Sequence, residues 1–384
     1  MKVHFDTIVI GGGVAALWTA HELKAAGHQV AVLTNSPLGS GQSLAAQGVI
    51  HGGLKYAVGG KLNDSSEALA AMPERWKKAM SGDGPIDLSG VKILNDHQLM
   101  WSLPNVVSKV VSFFGSKALR GRADSLSRNQ YPPVFDTPEY RGQLFRIEEQ
   151  VLDPVSIIES LASQLSQDCY LADAVVSGGN GRIDSLQVDD VILTADHYVL
   201  AAGAGNAKLL SAAGLDQPAM QTRPLHQLIV RKPDLPDFYS VCVGSTPKPP
   251  LVSTTHIDSE GRKIWYIGGD IAEARGVARS ESEQIEAGKE LFEKVMPWID
   301  LEGAEWFTVR ADRAEPDVGT GDRPPGAFCE KSGNVVTAWP TKLALAPDLA
   351  DKVLSFTGQG KSDQPTQKLP LPRPAIGTAP WDLP

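Results

Sequence analysis

Three features of the sequence predict an α/β fold that carries a second, antiparallel sheet. The chain opens with a strand, a glycine-rich turn, a helix and another strand, a unit of roughly 30 residues. A later buried strand, residues 197–201, ends in the small residues Ala202 and Gly203, as strands of parallel sheets often do. Between residues 222 and 268 apolar and polar positions alternate, which is typical of an antiparallel sheet. We therefore expect a Rossmann-like domain joined to a second domain built on an antiparallel sheet.

The opening unit predicts dinucleotide binding. Its pattern indicates a buried strand over residues 7–10, a helix over 16–26 and a second strand over 30–33. The turn between the first strand and the helix has the spacing G-x-G-x-x-A from Gly11 to Ala16. In that position, between a strand and a helix, the spacing favours a nucleotide site over the alternative of a merely tight turn.

Each small residue of the turn has a separate task in this interpretation. Gly11 permits the sharp turn, Gly13 lets a pyrophosphate approach the backbone, and Ala16 keeps the helix close to the strand. The N-terminus of the helix adds free N–H groups and a partial positive charge for the phosphates.

The end of the second strand departs from this pattern. An acidic residue is expected there to bind the ribose hydroxyls, but the sequence has Thr34 followed by Asn35. Either side chain can hydrogen-bond a hydroxyl, although without the strength of a charge-assisted bond. We expect one of the two to contact the ribose.

Composition excludes several classes of protein. The length of 384 residues suffices for two domains, and the net charge of −9 argues against a general nucleic-acid binder. The three cysteines, Cys169, Cys242 and Cys329, are too far apart for a metal-ligand pair, and we expect them to be buried apolar residues in a reducing compartment. No secretory signal and no apolar run of about 18 residues is found, so a cytoplasmic location is expected.

Two stretches before residue 150 suggest contacts with ligands or surfaces. Residues 36–60 are rich in glycine, with Ser, Gln, His, Lys and Tyr between, which favours an ordered site over a flexible linker. Residues 65–80 have a helical pattern. Residues 106–122 predict a basic helix that either packs on its own domain or lies peripherally on the inner membrane face.

The remaining pattern gives a discontinuous domain organisation. The predicted first domain comprises residues 1–80, 150–220 and 310–358, and the second comprises 81–149 and 221–309. A tail rich in Pro and Gln, residues 359–384, is expected to lie extended on the surface or to be disordered.

Taken together, these motifs resemble the FAD-dependent oxidoreductases of the D-amino-acid oxidase and glycerol-3-phosphate dehydrogenase superfamily. The run I-H-G-G-L-K-Y at residues 50–56 is similar to I-H-G-G-L-R-Y of aerobic glycerol-3-phosphate dehydrogenases and to V-I-H-x-G of L-2-hydroxyglutarate dehydrogenases. The P-T-K-L loop at 340–343 is similar to the loop that places a lysine beside the flavin, and Val309-Arg310 to a strand whose arginine meets an anionic substrate group. Departures are Thr34 for Glu, Lys55 for Arg, Thr341 for Gly and the lack of a helical C-terminal domain.

The resemblance implies FAD as cofactor and assigns roles to individual residues. His51, Arg310 and Lys342 become catalytic candidates: a general base, an anion ligand and a cation at the N1/O2 edge of the reduced flavin. Lys55, Tyr56 and His226 become substrate-binding candidates. The FAD-binding candidates are Gly11, Gly13, Val14, Ala15, Ala16, Thr34, Asn35, Ser43, Gly48, Val175, Ala202, Gly203, Trp339, Thr341, Lys342 and Leu343. No metal site is expected.

Each role has a structural alternative. His51 can instead hydrogen-bond a nearby carbonyl or be the point of covalent flavin attachment, and Arg310 can pair with an internal acid such as Asp312. Lys55, Tyr56 and Lys342 can be ordinary surface or core residues, and His226 and His256 can be satisfied by local hydrogen bonds.

The predicted activity is hydride transfer from a small anionic hydroxy acid or polyol phosphate to the flavin, with oxygen or a quinone as electron acceptor. An amino-acid or amine oxidase is the first alternative, because a neutral amine needs no strong base. A flavin-binding electron-transfer or assembly subunit without its own turnover is the second.

Overall fold

A computed structural model describes residues 1–53, 64–104, 123–246, 248–319, 324–360 and 367–383. The predicted helix over 106–122, with its predicted membrane contact, and the substrate candidates Lys55 and Tyr56 lie outside the described residues.

The described residues form eighteen strands and eight α-helices. The strands are β1 (Lys2–Ile10), β2 (Val30–Thr34), β3 (Ile93–Asn95), β4 (Gln98–Ser102), β5 (Ala123–Ser125), β6 (Leu144–Ile147), β7 (Val151–Leu152), β8 (Cys169–Leu171), β9 (Val175–Gly179), β10 (Arg182–Val188), β11 (Val191–Leu200), β12 (Met220–Arg231), β13 (Ser240–Val243), β14 (Val252–Ile257), β15 (Lys263–Gly268), β16 (Glu305–Pro316), β17 (Phe328–Ser332) and β18 (Val335–Trp339). The helices are α1 (Val14–Ala25), α2 (Asp64–Ala70), α3 (Met72–Met80), α4 (Pro154–Gln164), α5 (Asn206–Ala212), α6 (Ala274–Ala278), α7 (Glu281–Val295) and α8 (Ala346–Thr357).

The first sheet is the predicted Rossmann-like core. Its strand order is β17-β18-β11-β1-β2-β8, with the β9–β10 hairpin beside β11, and β1 runs parallel to both β11 and β2. Helices α1, α4 and α8 bury their apolar faces on one side of it. The opening strand and helix both begin earlier than predicted, at Lys2 and Val14. The carboxyl ends of β1, β2, β11 and β18 lie at one edge, where ligands of open α/β sheets bind.

The second sheet is largely antiparallel, in the order β16-β12-β15-β14-β13-β4-β6-β5. Strands β12 and β16 pair over their whole length, from Met220 opposite Pro316 to Arg231 opposite Glu305. Strand β16 therefore stays in this sheet beyond the domain boundary predicted at residue 310. Helix α7 covers the outer face around an apolar cluster. Two sheets of these kinds confirm the predicted fold class.

The sequence predicted a tail that lies extended on the surface or is disordered; its described residues, 367–383, are extended but partly buried. Residues 367–383 form a strap: Ala375 accepts a backbone hydrogen bond from Leu38, and the N–H of Gly377 donates to the Leu38 carbonyl. Farther on, the buried Trp381 stacks on His256 of the antiparallel sheet, with ring centroids 4.1 Å apart. The prolines keep the segment extended, but four of its apolar side chains are buried, namely Leu369, Leu371, Ala379 and Trp381, so it contacts both sheets.

Among the described residues, no helix has the length and apolar character needed to cross a membrane.

Candidate active site

The glycine turn is shaped by its neighbours as well as by any ligand. Gly11 has a φ of +142°, and a methyl group on it would lie 2.3 Å from the Ala201 carbonyl oxygen. A methyl group on Gly12 would lie 2.7 Å from the Thr34 hydroxyl oxygen. Because the turn passes between the ends of β11 and β2, neither position has room for a side chain.

The N-terminus of α1 is suited to an anion. Gly13 is the N-cap residue and gives no side-chain cap, and the first turn has no acidic residue. The N–H of Val14 donates to the Ser43 hydroxyl at 3.0 Å, so Ser43, a predicted FAD residue, lies directly at this helix end. Val14, Ala15 and Ala16 are all buried. The helix end therefore offers backbone N–H groups and a partial positive charge with no competing carboxylate.

The two residues predicted at the ribose differ in availability. Thr34 is buried, and its hydroxyl donates to the Ser36 carbonyl at 3.0 Å, so its only proton is already used. Asn35 is exposed. Val175, the predicted residue on β9, is 66% exposed. Of Thr34 and Asn35, the geometry favours Asn35 as a donor to a hydroxyl.

The ends of β11 and β18 are tied together by a buried asparagine. Asn206 accepts a hydrogen bond from the Ala202 N–H at 2.8 Å and donates to the Ala338 carbonyl at 3.2 Å. The indole N–H of Trp339 donates to the Gly203 carbonyl at 3.1 Å. Gly203 has a φ of +57°. These contacts fix the backbone of two strand ends beside the glycine turn.

The loop after β18 contains a strained residue. Thr341 has a φ of +58°, which is unusual for a β-branched residue, and Lys342 donates its N–H to the Pro340 carbonyl at 2.7 Å. The Thr341 hydroxyl donates to the Gly326 carbonyl, and the Lys342 ammonium donates to the Pro325 carbonyl. A 3₁₀-helix begins directly afterwards at Leu343. Glycine would adopt this turn without strain.

His51 is paired with a buried carboxylate. Its Nδ1 lies 2.8 Å from Oε2 of Glu149, whose Oε1 accepts the Gly52 N–H at 2.8 Å. The His51 side chain is 13% exposed and the Glu149 side chain 1%. With Nδ1 bonded to the carboxylate, Nε2 is the ring nitrogen that can accept a proton.

Backbone contacts hold the His51 loop against the segment that carries Glu149. The N–H of Leu152 donates to the Gly48 carbonyl and the N–H of Ile50 to the Gln150 carbonyl, both at 2.9 Å. Gly48 has a φ of +76°, and a methyl group on it would lie 1.9 Å from the Leu152 carbonyl oxygen. Gly48 is thus required by close packing of these two segments.

The loop before Gly48 is also bonded to the antiparallel sheet. The Gln47 amide donates to the carbonyls of Val252 and Tyr266, at 3.2 and 3.0 Å. The Tyr266 hydroxyl lies 2.7 Å from the Gln227 amide oxygen and 3.1 Å from the Ala45 carbonyl oxygen. This network joins residues 45–48 to the face of the sheet that carries Tyr266.

Two predicted site residues lie on the opposite face. His226 and Arg310 are directly opposite each other in the β12–β16 pair. The buried His226 ring bonds the Gly276 carbonyl at 2.9 Å, and the exposed Arg310 donates to the carbonyls of Val277 and Arg279. The sequence predicted that Arg310 binds a substrate anion or pairs with an internal acid such as Asp312, whereas the structure bonds its exposed side chain to two backbone carbonyls. Both residues hold the end of α6 on the outer face.

A charged cluster that the sequence did not reveal lies near the strand ends. We define it as Arg223, Lys248, Glu273, Arg313 and Glu315. Arg223 pairs with the buried Glu315 at 3.0 Å, and Lys248 pairs with Glu273 at 2.9 Å. Arg313 approaches Glu273 at 3.4 Å. Burial alone would raise the pKa of Glu273, but the hydrogen bond from Lys248 and the nearby Arg313 lower it.

The cluster brings three cations and two carboxylates together. Strand β16, which supplies Arg313 and Glu315, packs against the 3₁₀-helix Gly203–Gly205 at the end of β11.

Other titratable groups fit structural roles. Burial lowers the pKa of His256 to about 3, so its ring is neutral. Burial raises the pKa values of the Cys169 and Cys329 thiols to about 12, in keeping with the prediction that the cysteines are not nucleophiles. No group of His, Cys, Asp and Glu within the described ranges could hold a metal ion.

Sequence reasoning missed Glu149, Asn206 and Gly12. The only signal for Glu149 was a pair of acidic residues, Glu148 and Glu149, between two apolar strands. Asn206 follows the small residues after β11 and could have been suspected as a buried polar residue in an apolar context. Gly12 lies inside the motif G-x-G-x-x-A, at a position where the motif specifies no residue type.

Comparison with known proteins agrees with this architecture. A family model described as "FAD dependent oxidoreductase" matches residues 6–338. A Pseudomonas aeruginosa protein named "Probable FAD-dependent oxidoreductase PA4991" is 41% identical over 381 residues, covering 98% of this chain and 97% of that protein. Its crystal structure superposes with a TM-score of 0.84 over 99% of this chain and 98% of that chain, at 37% identity.

Two more distant structures share the fold. Glycine oxidase of Geobacillus kaustophilus gives a TM-score of 0.66 at 16% identity over 94% of this chain and 96% of its own. L-α-glycerophosphate oxidase of Mycoplasma pneumoniae, solved with FAD bound, gives 0.67 at 15% identity over 96% and 99%. The chain belongs to the FAD-dependent oxidoreductase family that contains D-amino-acid oxidase, and it is an FAD-dependent enzyme.

Proposed function

We propose that the protein oxidises the CH–OH group of a small anionic hydroxy acid or polyol phosphate, with His51 as the base for the hydroxyl proton. The observation that carries this proposal is the His51–Glu149 pair, 2.8 Å apart and almost wholly buried. An alcohol must lose its hydroxyl proton as its carbon loses a hydride, so the reaction needs a base.

The pair is suited to that role because the carboxylate does three things. It fixes the tautomer of His51 with the proton on Nδ1, it restrains the ring, and it stabilises the imidazolium formed after proton uptake. The second oxygen of Glu149 is held by the Gly52 N–H, so the carboxylate is itself fixed.

The residues at the strand ends fit FAD. The side-chain-free turn at Gly11–Gly13, the α1 N-terminus with Ser43, and the fixed backbone at Ala202 and Gly203 would hold the pyrophosphate and neighbouring groups. Thr341, Lys342 and Leu343 would lie at the flavin, with Lys342 as the cation. When bound, FAD supplies the acceptor for the substrate hydride.

The anionic part of the proposal is supported by the cations of the charged cluster, Arg223, Lys248 and Arg313, and by Lys342. Arg310 contributes nothing to it, since its side chain holds the end of α6. The electron acceptor in this proposal is oxygen or a quinone. Anaerobically reduced protein mixed with each acceptor in turn would distinguish the two.

Amine oxidation is the second candidate, supported by the fold shared with glycine oxidase. A neutral amine can transfer hydride without a strong base, so this candidate assigns no proton transfer to His51.

Anaerobic flavin bleaching tests the proposal. The purified holoenzyme is mixed with 2-hydroxy acids, glycerol 3-phosphate and amino acids, and absorbance near 450 nm, a flavin property, is followed. We expect bleaching by one hydroxy compound, and a fall in rate of about 10²–10⁴-fold in His51→Gln, as for loss of a general base. The exposed His4→Gln is the control. Bleaching by amines alone, unaffected in His51→Gln, would favour the second candidate.

A further inference from the structure

Gln98 is a buried amide with unsatisfied hydrogen-bonding groups. It lies in β4, its side chain is fully buried, and neither its Oε1 nor its Nε2 has a partner in the described part of the chain. A buried amide normally pairs both groups, because leaving them unpaired costs stability. The amide of Gln98 therefore needs hydrogen-bonding partners that the described residues do not supply.

The register of β4 shows which face of the sheet carries Gln98. Leu99 and Trp101 belong to the apolar cluster beneath α7 on the outer face. Because side chains alternate along a strand, Gln98 is on the other face. Leu99 pairs with Ser240 of the parallel neighbour β13, so Gln98 lies beside Tyr239.

This position brings Gln98 to the candidate active site. Tyr239 packs with Val49 and Val151 in a small apolar cluster. Val49 precedes His51 by two residues, and Val151 follows Glu149 by two. The face that carries Gln98 is thus the face covered by the two segments that form the His51–Glu149 pair.

We propose that Gln98 is a specificity-determining residue that binds a neutral polar group of the substrate, away from the reacting carbon. An amide side chain offers one acceptor and two donors. A hydroxyl or carboxamide on the substrate can satisfy both kinds of group, whereas a second carboxylate or a methyl group cannot. The substrate class is therefore a hydroxy acid with a further hydroxyl or carboxamide. This inference rests on the proposed function.

Glycerate and lactate form a matched pair of probes, since glycerate has a terminal hydroxyl where lactate has a methyl hydrogen. We expect wild-type holoenzyme to favour glycerate by about 10²-fold or more in kcat/KM, because a site built for a hydroxyl rejects the analogue without it. In Gln98→Leu the preference should fall below about tenfold, mainly through KM. Without ligand, the Tm of Gln98→Leu should be equal or higher, since two unpaired polar groups are removed.

Two outcomes would overturn the inference: no preference in the wild type, or a preference unchanged in Gln98→Leu. In the second case, a fall in Tm would indicate that the glutamine holds a structural water. The exposed Gln167→Leu controls for the substitution itself.

Failure of the proposed function can be distinguished from failure of the inference about Gln98. If no hydroxy acid bleaches the flavin, the binding of glyceramide is measured by thermal shift. A rise in Tm that is lost in Gln98→Leu supports the role of Gln98, and equal shifts in both proteins contradict it.

Discussion

Replacing Glu149 by glutamine tests the function of the His51 pair with little change in shape. The amide oxygen can still accept the Gly52 N–H, as Oε1 of the carboxylate does. The amide nitrogen then faces Nδ1 of His51, and as a donor it requires that nitrogen to be the acceptor. The ring proton moves to Nε2, so the nitrogen that should accept the substrate proton is blocked.

The size of the expected rate loss follows from the contribution of general base catalysis. General base catalysis contributes about 10²–10⁴-fold, so the Glu149→Gln variant should lose about 3–5 kcal/mol of transition-state stabilisation. Its limiting rate of flavin reduction should fall by that factor, while KM for the hydroxy substrate changes little. Anaerobic stopped-flow measurement at 450 nm, a flavin property, separates this step from reoxidation.

The adjacent Glu148→Gln provides the control, because Glu148 is exposed. If Glu149→Gln binds FAD with an unaltered spectrum and reduces it at the wild-type rate, the carboxylate does not set the tautomer of a base. A loss of FAD in Glu149→Gln would instead show that the carboxylate chiefly holds the loop around Gly52.

Three further predictions concern stability and the corrected residues. Burial lowers the pKa of His256 from 6.5 to about 3, so as pH falls below about 6.5 the unfolded state takes up a proton before the folded state does, and stability falls. His256→Gln should remove this loss. Urea titrations between pH 6 and 4 should then show the free energy of unfolding falling less steeply, by up to about 1.4 kcal/mol per pH unit. Trp381→Ala should lower that free energy by about 3 kcal/mol, whereas the exposed Leu383→Ala should change it by less than about 0.5, and equal effects would contradict a structural strap. Arg310→Ala should lower the free energy of unfolding by about 1 kcal/mol and leave the rate of flavin reduction within about twofold of wild type. A hundredfold loss of kcat/KM would refute this expectation.

The local motifs were predictable because their causes are local. The strand-turn-helix unit follows from β-branched residues, glycines and helix periodicity within one short segment. The departure at Thr341 was also visible as a threonine at a position that is usually glycine, and its φ of +58° explains why glycine is usual there. Such a conformation costs about 1–3 kcal/mol, so the surrounding loop must hold it.

The error at Arg310 has a geometrical cause. A strand of alternating residues has two faces, and the sequence does not say which one faces the site. Arg310 and His226 share one face because they are paired across β12 and β16, and α6 takes that face. Arg313, three residues on, lies on the opposite face, which carries Tyr266. Because successive residues of a strand face opposite sides, the sequence could not indicate whether Arg310 or Arg313 lies on the face that carries Tyr266.

Glu149 could not be predicted because its partner lies 98 residues away. What brings them together is a backbone contact, in which Gly48 leaves space for the Leu152 carbonyl. That glycine appeared in the sequence as one of many in residues 36–60, and nothing there indicated that it would pack against Leu152, just after the connection that carries Glu149. The position of the proposed base is therefore set by packing at Gly48. By the same reasoning Gly48→Ala should displace His51 from Glu149 and slow flavin reduction in the anaerobic assay at 450 nm, although neither side chain of the pair is changed.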